Sequence, residues 1–142
     1  MNINHLAQEY NGNWFVQQTI NDNLSNSIEN LNSTLSFDIN DNALSVRWNQ
    51  EAYLNFQFHP FKANENKVGY ISYKDENTSR SSKIGIYKII DKTNWIIYRR
   101  HKGLDIEENI KMVNLGLFLS TIKIRFCGHL VSTSFKSGIK MK

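Results

Sequence analysis

The sequence has very few of the residues that rigidify or cross-link a small fold, namely cysteine and proline. Its 142 residues include one cysteine, Cys127, and one proline, Pro60. A single cysteine excludes an intramolecular disulfide, a CxxC metal pair and a redox dithiol. A chain of roughly this length buries about 70% of its unfolded surface, enough for a core without such staples. We therefore expect one domain, residues 1–142, in a reducing compartment.

Long apolar runs and targeting features are missing as well. No apolar run approaches the ~20 residues that cross a bilayer, so we expect neither a spanning helix nor a membrane partner. The segment from Met1 to Tyr10 has no basic start and no apolar centre. Such a segment is not typical of a secretory signal, so an interior compartment is expected.

Motifs for metal binding and hydrolysis are absent from the pattern. His5, His59, His101 and His129 never fall at an HxH or HxxxH spacing, so no metal site is predicted. There is no GxSxG elbow and no glycine-rich phosphate loop. We accordingly expect no metal and no resident cofactor.

The charge balance is mildly basic. Seventeen Lys and Arg stand against thirteen Asp and Glu, a net charge of +4. This excess favours acidic partners or ligands that carry carboxylates. A nucleic-acid surface is the weaker alternative, because only Arg99, Arg100 and Lys102 form a tight basic group. We expect no nucleic-acid partner.

What the sequence does contain is a succession of short alternating segments. Leu35, Phe37 and Ile39 alternate with polar residues, the period-two pattern of a half-buried strand. A first strand begins at Gly12, and further strands are predicted at residues 44–48, 53–58, 68–73, 83–90, 95–100, 115–126 and 130–140. Residues 3–10 predict a short helix, and residues 104–112 are ambiguous.

The connections between these segments are too short for parallel crossovers, so the sheet must be antiparallel. Closing it on itself removes the exposed edges that a sandwich would keep. The sequence thus predicts an all-β fold: an antiparallel up-and-down β-barrel of about ten strands, lipocalin-like, with a short N-terminal helix. A barrel of this size can hold one small ligand.

Motifs at both ends of the chain resemble one family. Gly12-Asn13-Trp14 is a glycine-x-tryptophan signature, and Gln17 follows it shortly. Later motifs come in matching order: Glu107-Glu108, Asn114-Leu115, Ile122-Lys123 and the hydroxyl-rich run at 132–137. Together they resemble the S-type phycobiliprotein lyases.

The resemblance also has departures. Gln18 stands where the family has an arginine, Gly116 and Phe118 stand where it usually has arginines, and Gly138 replaces an acid. These changes keep open an alternative function, a non-catalytic lipocalin-like carrier of a small apolar ligand.

The resemblance implies a function. Such lyases bind an open-chain tetrapyrrole, a bilin such as phycocyanobilin or phycoerythrobilin, and attach it to a cysteine of an apo-phycobiliprotein subunit. The bilin is a substrate, and the nucleophile belongs to the acceptor. The expected location is a plastid (chloroplast) stroma or a cyanobacterial cytoplasm, with the lyase alone or as a homodimer or heterodimer.

A bilin site needs apolar walls, cations for two propionates and an acid. Trp14, Trp48 and Tyr98 are the predicted walls, although Trp14 could instead plug one end of the barrel. The predicted ligand-binding residues are completed by Arg47, Arg99, Arg125, Gln18, Ser132 and Ser134, and the predicted acids are Glu107 and Glu108. Because neighbours on a strand face opposite ways, Arg47 and Trp48 cannot both line the interior, nor can Tyr98 and Arg99.

Overall fold

The protein is a barrel of ten β-strands. The computed structural model describes residues 8–40, 43–49, 52–62, 65–74 and 80–141. Residues 8–10 are helical, and they are the described part of the helix predicted at 3–10. The strands are β1 (Gly12–Asp22), β2 (Ser27–Asn40), β3 (Ala43–Trp48), β4 (Ala52–Lys62), β5 (Glu65–Lys74), β6 (Ser81–Asp91), β7 (Asn94–His101), β8 (Leu104–Asn114), β9 (Leu117–Phe126) and β10 (His129–Lys140).

The strands pair in chain order and the sheet closes on itself. Each strand is antiparallel to its chain neighbour, and β1 pairs with β10 from Trp14↔Lys140 to Asp22↔Ser132. The predicted fold class, an antiparallel up-and-down barrel of about ten strands, is confirmed. No described helix is long and apolar enough to cross a bilayer.

Two elements differ from the sequence prediction. The ambiguous segment 104–112 is a full strand, β8, and it ends at a turn in which Asn114 Oδ1 accepts a hydrogen bond from the Gly116 amide (3.0 Å). β2 begins at Ser27, eight residues before its alternation starts. Residues 27–32 are exposed on both faces, so nothing in their hydrophobic pattern marks a strand.

One end of the barrel is closed by aromatic residues. Trp14 is fully buried, and its Nε1 donates to the Tyr10 carbonyl (2.9 Å). The Tyr10 hydroxyl donates to the Thr93 carbonyl in the β6–β7 turn (3.1 Å), and burial raises the pKa of this hydroxyl well above its ordinary value. Trp14 also packs edge-on against Phe118, with 4.9 Å between ring centroids. We call this region, Tyr10, Trp14, Phe118 and Gly138, the closed end.

Candidate functional site

The interior of the barrel contains a partly open cavity of about 170 Å³. Most of its wall is aliphatic and aromatic, and three charged residues interrupt it: Arg99, Glu108 and Lys136. A smaller chamber of about 30 Å³ adjoins it toward the closed end. The apolar residues that border the larger cavity are Leu35, Phe37, Leu44, Val46, Phe56, Phe58, Ile71, Ile84, Trp95, Ile97 and Ile110. We call the larger space the central cavity.

Strand alternation decides which predicted residues face this cavity. On β7, Trp95, Ile97 and Arg99 border it. Tyr98 lies between two of them, is 42% exposed and therefore lies on the outer wall. The interpretation of Tyr98 as a ligand wall is corrected, whereas Arg99 faces the cavity and its role as a propionate partner stays a prediction.

The two neighbouring acids separate in the same way. Glu108 borders the central cavity, so Glu107 faces outward. There Glu107 forms an ion pair with Arg125 (Nη1 to Oε2, 3.4 Å). The structure thus removes both Glu107 and Arg125 from the interior residues that a bilin site was expected to use.

The outer wall of β7 and β8 holds a further ion pair. Arg100 Nε donates to Asp105 Oδ1 at 2.8 Å. This hydrogen bond holds the pKa of the Asp105 carboxyl below its ordinary value. Arg100 and Asp105 are therefore engaged with one another outside the cavity.

The remaining predicted walls divide three ways. Trp14 plugs the closed end, the alternative that the sequence left open, and it does not border the central cavity. Val46 borders the cavity, so the exposed Arg47 beside it lies on the outer wall, which corrects its prediction as a propionate partner. The side chain of Trp48 lies outside the described part of the structure.

The predicted polar residues of β1 and β10 face inward. Gln18 Nε2 donates to Ser134 Oγ at 2.6 Å, and Ser134 is buried. Ser132 and Lys136 lie on the same face of β10 as Ser134 because they are two residues away from it. Gln18, Ser132 and Ser134 therefore share the interior face, Gln18 lies opposite Lys136, and none of these three predicted residues borders the central cavity.

Lys136 is the functional candidate that the sequence analysis missed. It lies in the hydroxyl-rich run 132–137, where it looks like one more polar strand residue. Its Nζ lies 3.7 Å from Glu108 Oε2, and the Ser120 hydroxyl donates to the same oxygen at 2.8 Å. The signal was available in principle, because Lys136 is an even number of residues from Ser134, on the same strand face.

Two departures from the family motifs are direct partners in the barrel. Phe118 of β9 pairs in register with Gly138 of β10. A Cβ placed on Gly138 would overlap the Phe118 ring. The ring thus needs the glycine, and together they occupy the space where an arginine and an acid were expected.

The described residues offer no metal site, since no three of their His, Cys, Asp and Glu side chains are grouped closely enough to hold an ion. The charged groups that the described residues place at the cavity wall are instead Arg99 and the paired Glu108 and Lys136, and Gln18 and Ser134 add an amide and a hydroxyl on the interior face. Such an arrangement suits an organic ligand with an apolar body and a few polar groups.

A closed ten-stranded antiparallel barrel of this kind is a lipocalin-like fold. Among solved structures, the chain is similar to the S-type phycobiliprotein lyase CPES from Guillardia theta. That similarity has a TM-score of 0.69 and 10% sequence identity, and covers 100% of this chain and 94% of that one. The resemblance inferred from the sequence motifs is confirmed at the level of the fold.

A second solved structure is also similar in fold. It is a protein of unknown function from the DUF3598 family of Nostoc punctiforme, with a TM-score of 0.63 and 12% identity. The match covers 99% of this chain and 49% of that chain, so this chain spans about half of that protein. No protein-family model and no curated protein sequence matches the chain.

Proposed function

We propose that the chain is a bilin lyase or bilin chaperone of the S type. It binds an open-chain tetrapyrrole without a covalent bond and attaches it to a cysteine of an apo-phycobiliprotein subunit. The observation that carries the proposal is the full-length likeness of the barrel to an S-type lyase, together with a cavity that has aromatic walls and interior charges of both signs. The proposed location is then a plastid stroma or a cyanobacterial cytoplasm, where such acceptors are made.

The cavity supplies the three kinds of contact that a bilin needs. Phe56, Phe58 and Trp95 give flat apolar surface for a pyrrole ring. Arg99 is the cation for a propionate, and its guanidinium can bind a carboxylate through two hydrogen bonds. Glu108 is the carboxylate of the Glu107-Glu108 pair that faces the ligand, where it can accept a hydrogen bond or exchange a proton with a pyrrole N–H.

The volume of the central cavity limits how much of a bilin can fit inside the barrel. About 170 Å³ is below the roughly 300–1,000 Å³ of most ligand pockets and close to the ~150 Å³ cavity that accommodates benzene. The barrel in this form therefore holds about one pyrrole ring. The other rings lie across its mouth, where the reactive ethylidene group is accessible to the acceptor.

Catalysis then consists mainly of orientation. The acceptor thiol adds across the ethylidene double bond, so that a carbon–sulfur bond forms and the thiol proton ends on the tetrapyrrole. Holding one ring in the barrel restricts the approach of the thiol to one carbon, and fixed geometry of this kind can supply several powers of ten in rate. No nucleophile of this chain takes part in the step.

The test is a reconstitution with three components: the purified chain, phycocyanobilin or phycoerythrobilin, and an apo-phycobiliprotein subunit. The expected result is colour on the acceptor that survives denaturation and exceeds the colour formed without the chain. Absence of any change in bilin absorbance on mixing with the chain would contradict bilin binding altogether.

A second candidate, a non-catalytic carrier of a small apolar ligand, is favoured by one observation. The Phe118 ring over Gly138 replaces charged groups that the family resemblance led us to expect. The same reconstitution separates the two functions. A carrier colours with bilin itself, loses that colour on denaturation and leaves the acceptor unmodified.

A further inference from the structure

The interior ion pair between Glu108 and Lys136 has a place in the barrel that suggests a use. Its side chains are only 17% and 19% exposed, respectively, and they come from β8 and β10, with β9 between them. Ser120 on β9 bonds to the shared oxygen of Glu108. Three neighbouring strands therefore converge on one carboxylate, and this carboxylate is the counter-ion of the lysine.

The pair lies where the two interior chambers meet. Glu108 and Lys136 border both the 170 Å³ central cavity and the 30 Å³ chamber behind it. Tyr10 and Phe118 border only the inner chamber, whereas Phe56 and Arg99 border only the central cavity. A ligand that occupies the central cavity therefore meets this ion pair at the inner end of its site.

The geometry of the pair suits an exchange of partners. The Nζ to Oε2 distance of 3.7 Å exceeds the roughly 2.7–2.9 Å of a tight charge-assisted hydrogen bond. Glu108 keeps its Ser120 bond when the lysine leaves. Inside a barrel, however, neither charge is stable without a counter-ion or a hydrogen-bond donor. A ligand can separate the two only if it supplies a partner for each.

We propose that Lys136 determines ligand specificity by exchanging Glu108 for a carboxylate of the ligand. The ligand carboxylate forms an ion pair with Lys136. Glu108, still bonded to Ser120, accepts a hydrogen bond from an N–H group of the same ligand. The inference rests on the proposed function and narrows it, because a bilin carries both a propionate and pyrrole N–H groups. A ligand that has only one of the two groups leaves a buried charge without a partner.

The direct test compares two forms of one ligand. Phycocyanobilin and its dimethyl ester differ only at the two propionates, and their affinities for the wild-type chain follow from absorbance titration. We expect the free acid to bind about tenfold or more tightly than the ester. Lys136→Gln should reduce that difference to the part that Arg99 contributes, and Lys136→Arg should retain it in full. Lys123→Gln, which removes an exposed lysine on the outer face of β9, is the matched control and should keep the wild-type ratio.

Glu108→Gln gives a result that a merely structural pair would not. This substitution removes the internal competitor for the lysine, so the free acid should bind more tightly than it does to the wild type, while binding of the ester should not improve. Circular dichroism checks that each variant folds. Because Lys136→Gln could fail that check, the affinity ratio in Glu108→Gln is a second, independent readout.

The outcomes separate this inference from the proposed function. Equal affinity of the wild type for acid and ester, or weaker binding of the acid to Glu108→Gln, overturns the role of Lys136 and leaves bilin binding intact. If the chain binds neither form, the proposed function fails, and the comparison passes to indole-3-propionic acid and its methyl ester, which both carry an N–H donor and differ only in the free carboxylate. Preference for that acid, reduced in Lys136→Gln, would support carboxylate exchange for another ligand, and no preference or no binding would overturn it.

Discussion

The closed end and the central cavity of this barrel are built from similar residues for opposite purposes. At the closed end, the Trp14 ring packs edge-on against Phe118, and its one polar atom is hydrogen-bonded. In the central cavity, aromatic residues such as Phe56 and Trp95 face open space. Hydrophobic burial at the closed end therefore stabilises the barrel well enough for the central cavity beside it to remain partly empty and charged.

The largest effect should come from removing the plug. Trp14→Ala deletes a fully buried side chain together with its hydrogen bond, and we expect a loss of about 3–5 kcal/mol in the free energy of unfolding. Phe56→Ala should cost less than half of that, because one side of this ring already faces the cavity. Equilibrium unfolding in urea, followed by circular dichroism, measures both.

The ligand-binding readout should reverse that order. Phe56→Ala should weaken bilin uptake, whereas any Trp14→Ala protein that remains folded should bind as the wild type does. Equal costs of the two substitutions in stability would break the distinction between a packed end and an open cavity.

The next effect concerns the glycine beneath the Phe118 ring. Gly138→Ala would place a methyl group where that ring lies, and we expect a loss of about 1–3 kcal/mol in unfolding free energy. Phe118→Leu in the same chain should recover part of it, since a smaller side chain can move aside. The double-mutant cycle should thus show coupling between the two positions.

Gly116→Ala is the matched control for this cycle. Its nearest neighbouring atom is 4.0 Å from an added Cβ, so the substitution should cost under about 0.5 kcal/mol. If Gly138→Ala is no worse than Gly116→Ala, the contact between ring and glycine does not explain why this chain lacks an acid there.

The fold was largely accessible from the sequence because alternation is a local property. The alternation of Leu35, Phe37 and Ile39 with polar residues predicts a buried strand face from the local sequence alone. The start of β2 at Ser27 was not accessible, because residues exposed on both faces carry no periodic signal. Backbone pairing with β1 holds this segment, and pairing leaves no mark in a single sequence.

The sequence could predict candidate site residues, but not which face of each strand lies inside the barrel. Alternation showed that Tyr98 or Arg99 could line the interior, and only the closed barrel decides for Arg99. Arg125 looked like a ligand cation because its pairing with Glu107 on the outer wall is a contact between strands. Lys136 was overlooked for the converse reason: the acid that faces it, Glu108, lies 28 residues away along the chain.

The interior ion pair is expected to matter less for stability than for binding. Lys136→Met alone should lower the free energy of unfolding by about 1–2 kcal/mol, because it leaves the largely buried Glu108 without its counter-ion. The double variant Glu108→Leu with Lys136→Met should be as stable as the wild type or more so, since apolar replacements of an interior pair are often neutral or stabilising. Its preference for free acid over ester should fall to the part that Arg99 contributes.

Thermal and urea unfolding of the single and double variants measure the stability part of this prediction. A double variant that is less stable than either single variant would mean that the pair is a structural element like the plug. The contrast between a stabilising end and a functional cavity would then disappear.

The smallest expected effect on stability concerns two buried tyrosines of the aromatic core, Tyr87 and Tyr10. Tyr87 is fully buried against Phe58, yet its hydroxyl has no hydrogen-bond partner among the described residues, unlike the hydroxyl of Tyr10. Tyr87→Phe should therefore leave the free energy of unfolding unchanged or raise it by up to about 1 kcal/mol at pH 7. Tyr10→Phe, which removes a hydrogen bond to Thr93, should lower it.

The same pair of variants predicts a dependence on pH with a definite sign. Burial raises the pKa of the Tyr87 hydroxyl, so the folded chain keeps this proton at a pH where an unfolded tyrosine, with a pKa of about 10, has released it. The unfolded state then binds fewer protons than the folded state, and stability falls as pH rises above about 10. Tyr87→Phe should reduce that fall, so its advantage over the wild type should grow between pH 7 and pH 10.5 in urea unfolding at each pH. An advantage that shrinks over this range would show that the hydroxyl is hydrogen-bonded or hydrated in solution, and that the core around Phe58 is more open than the closed end.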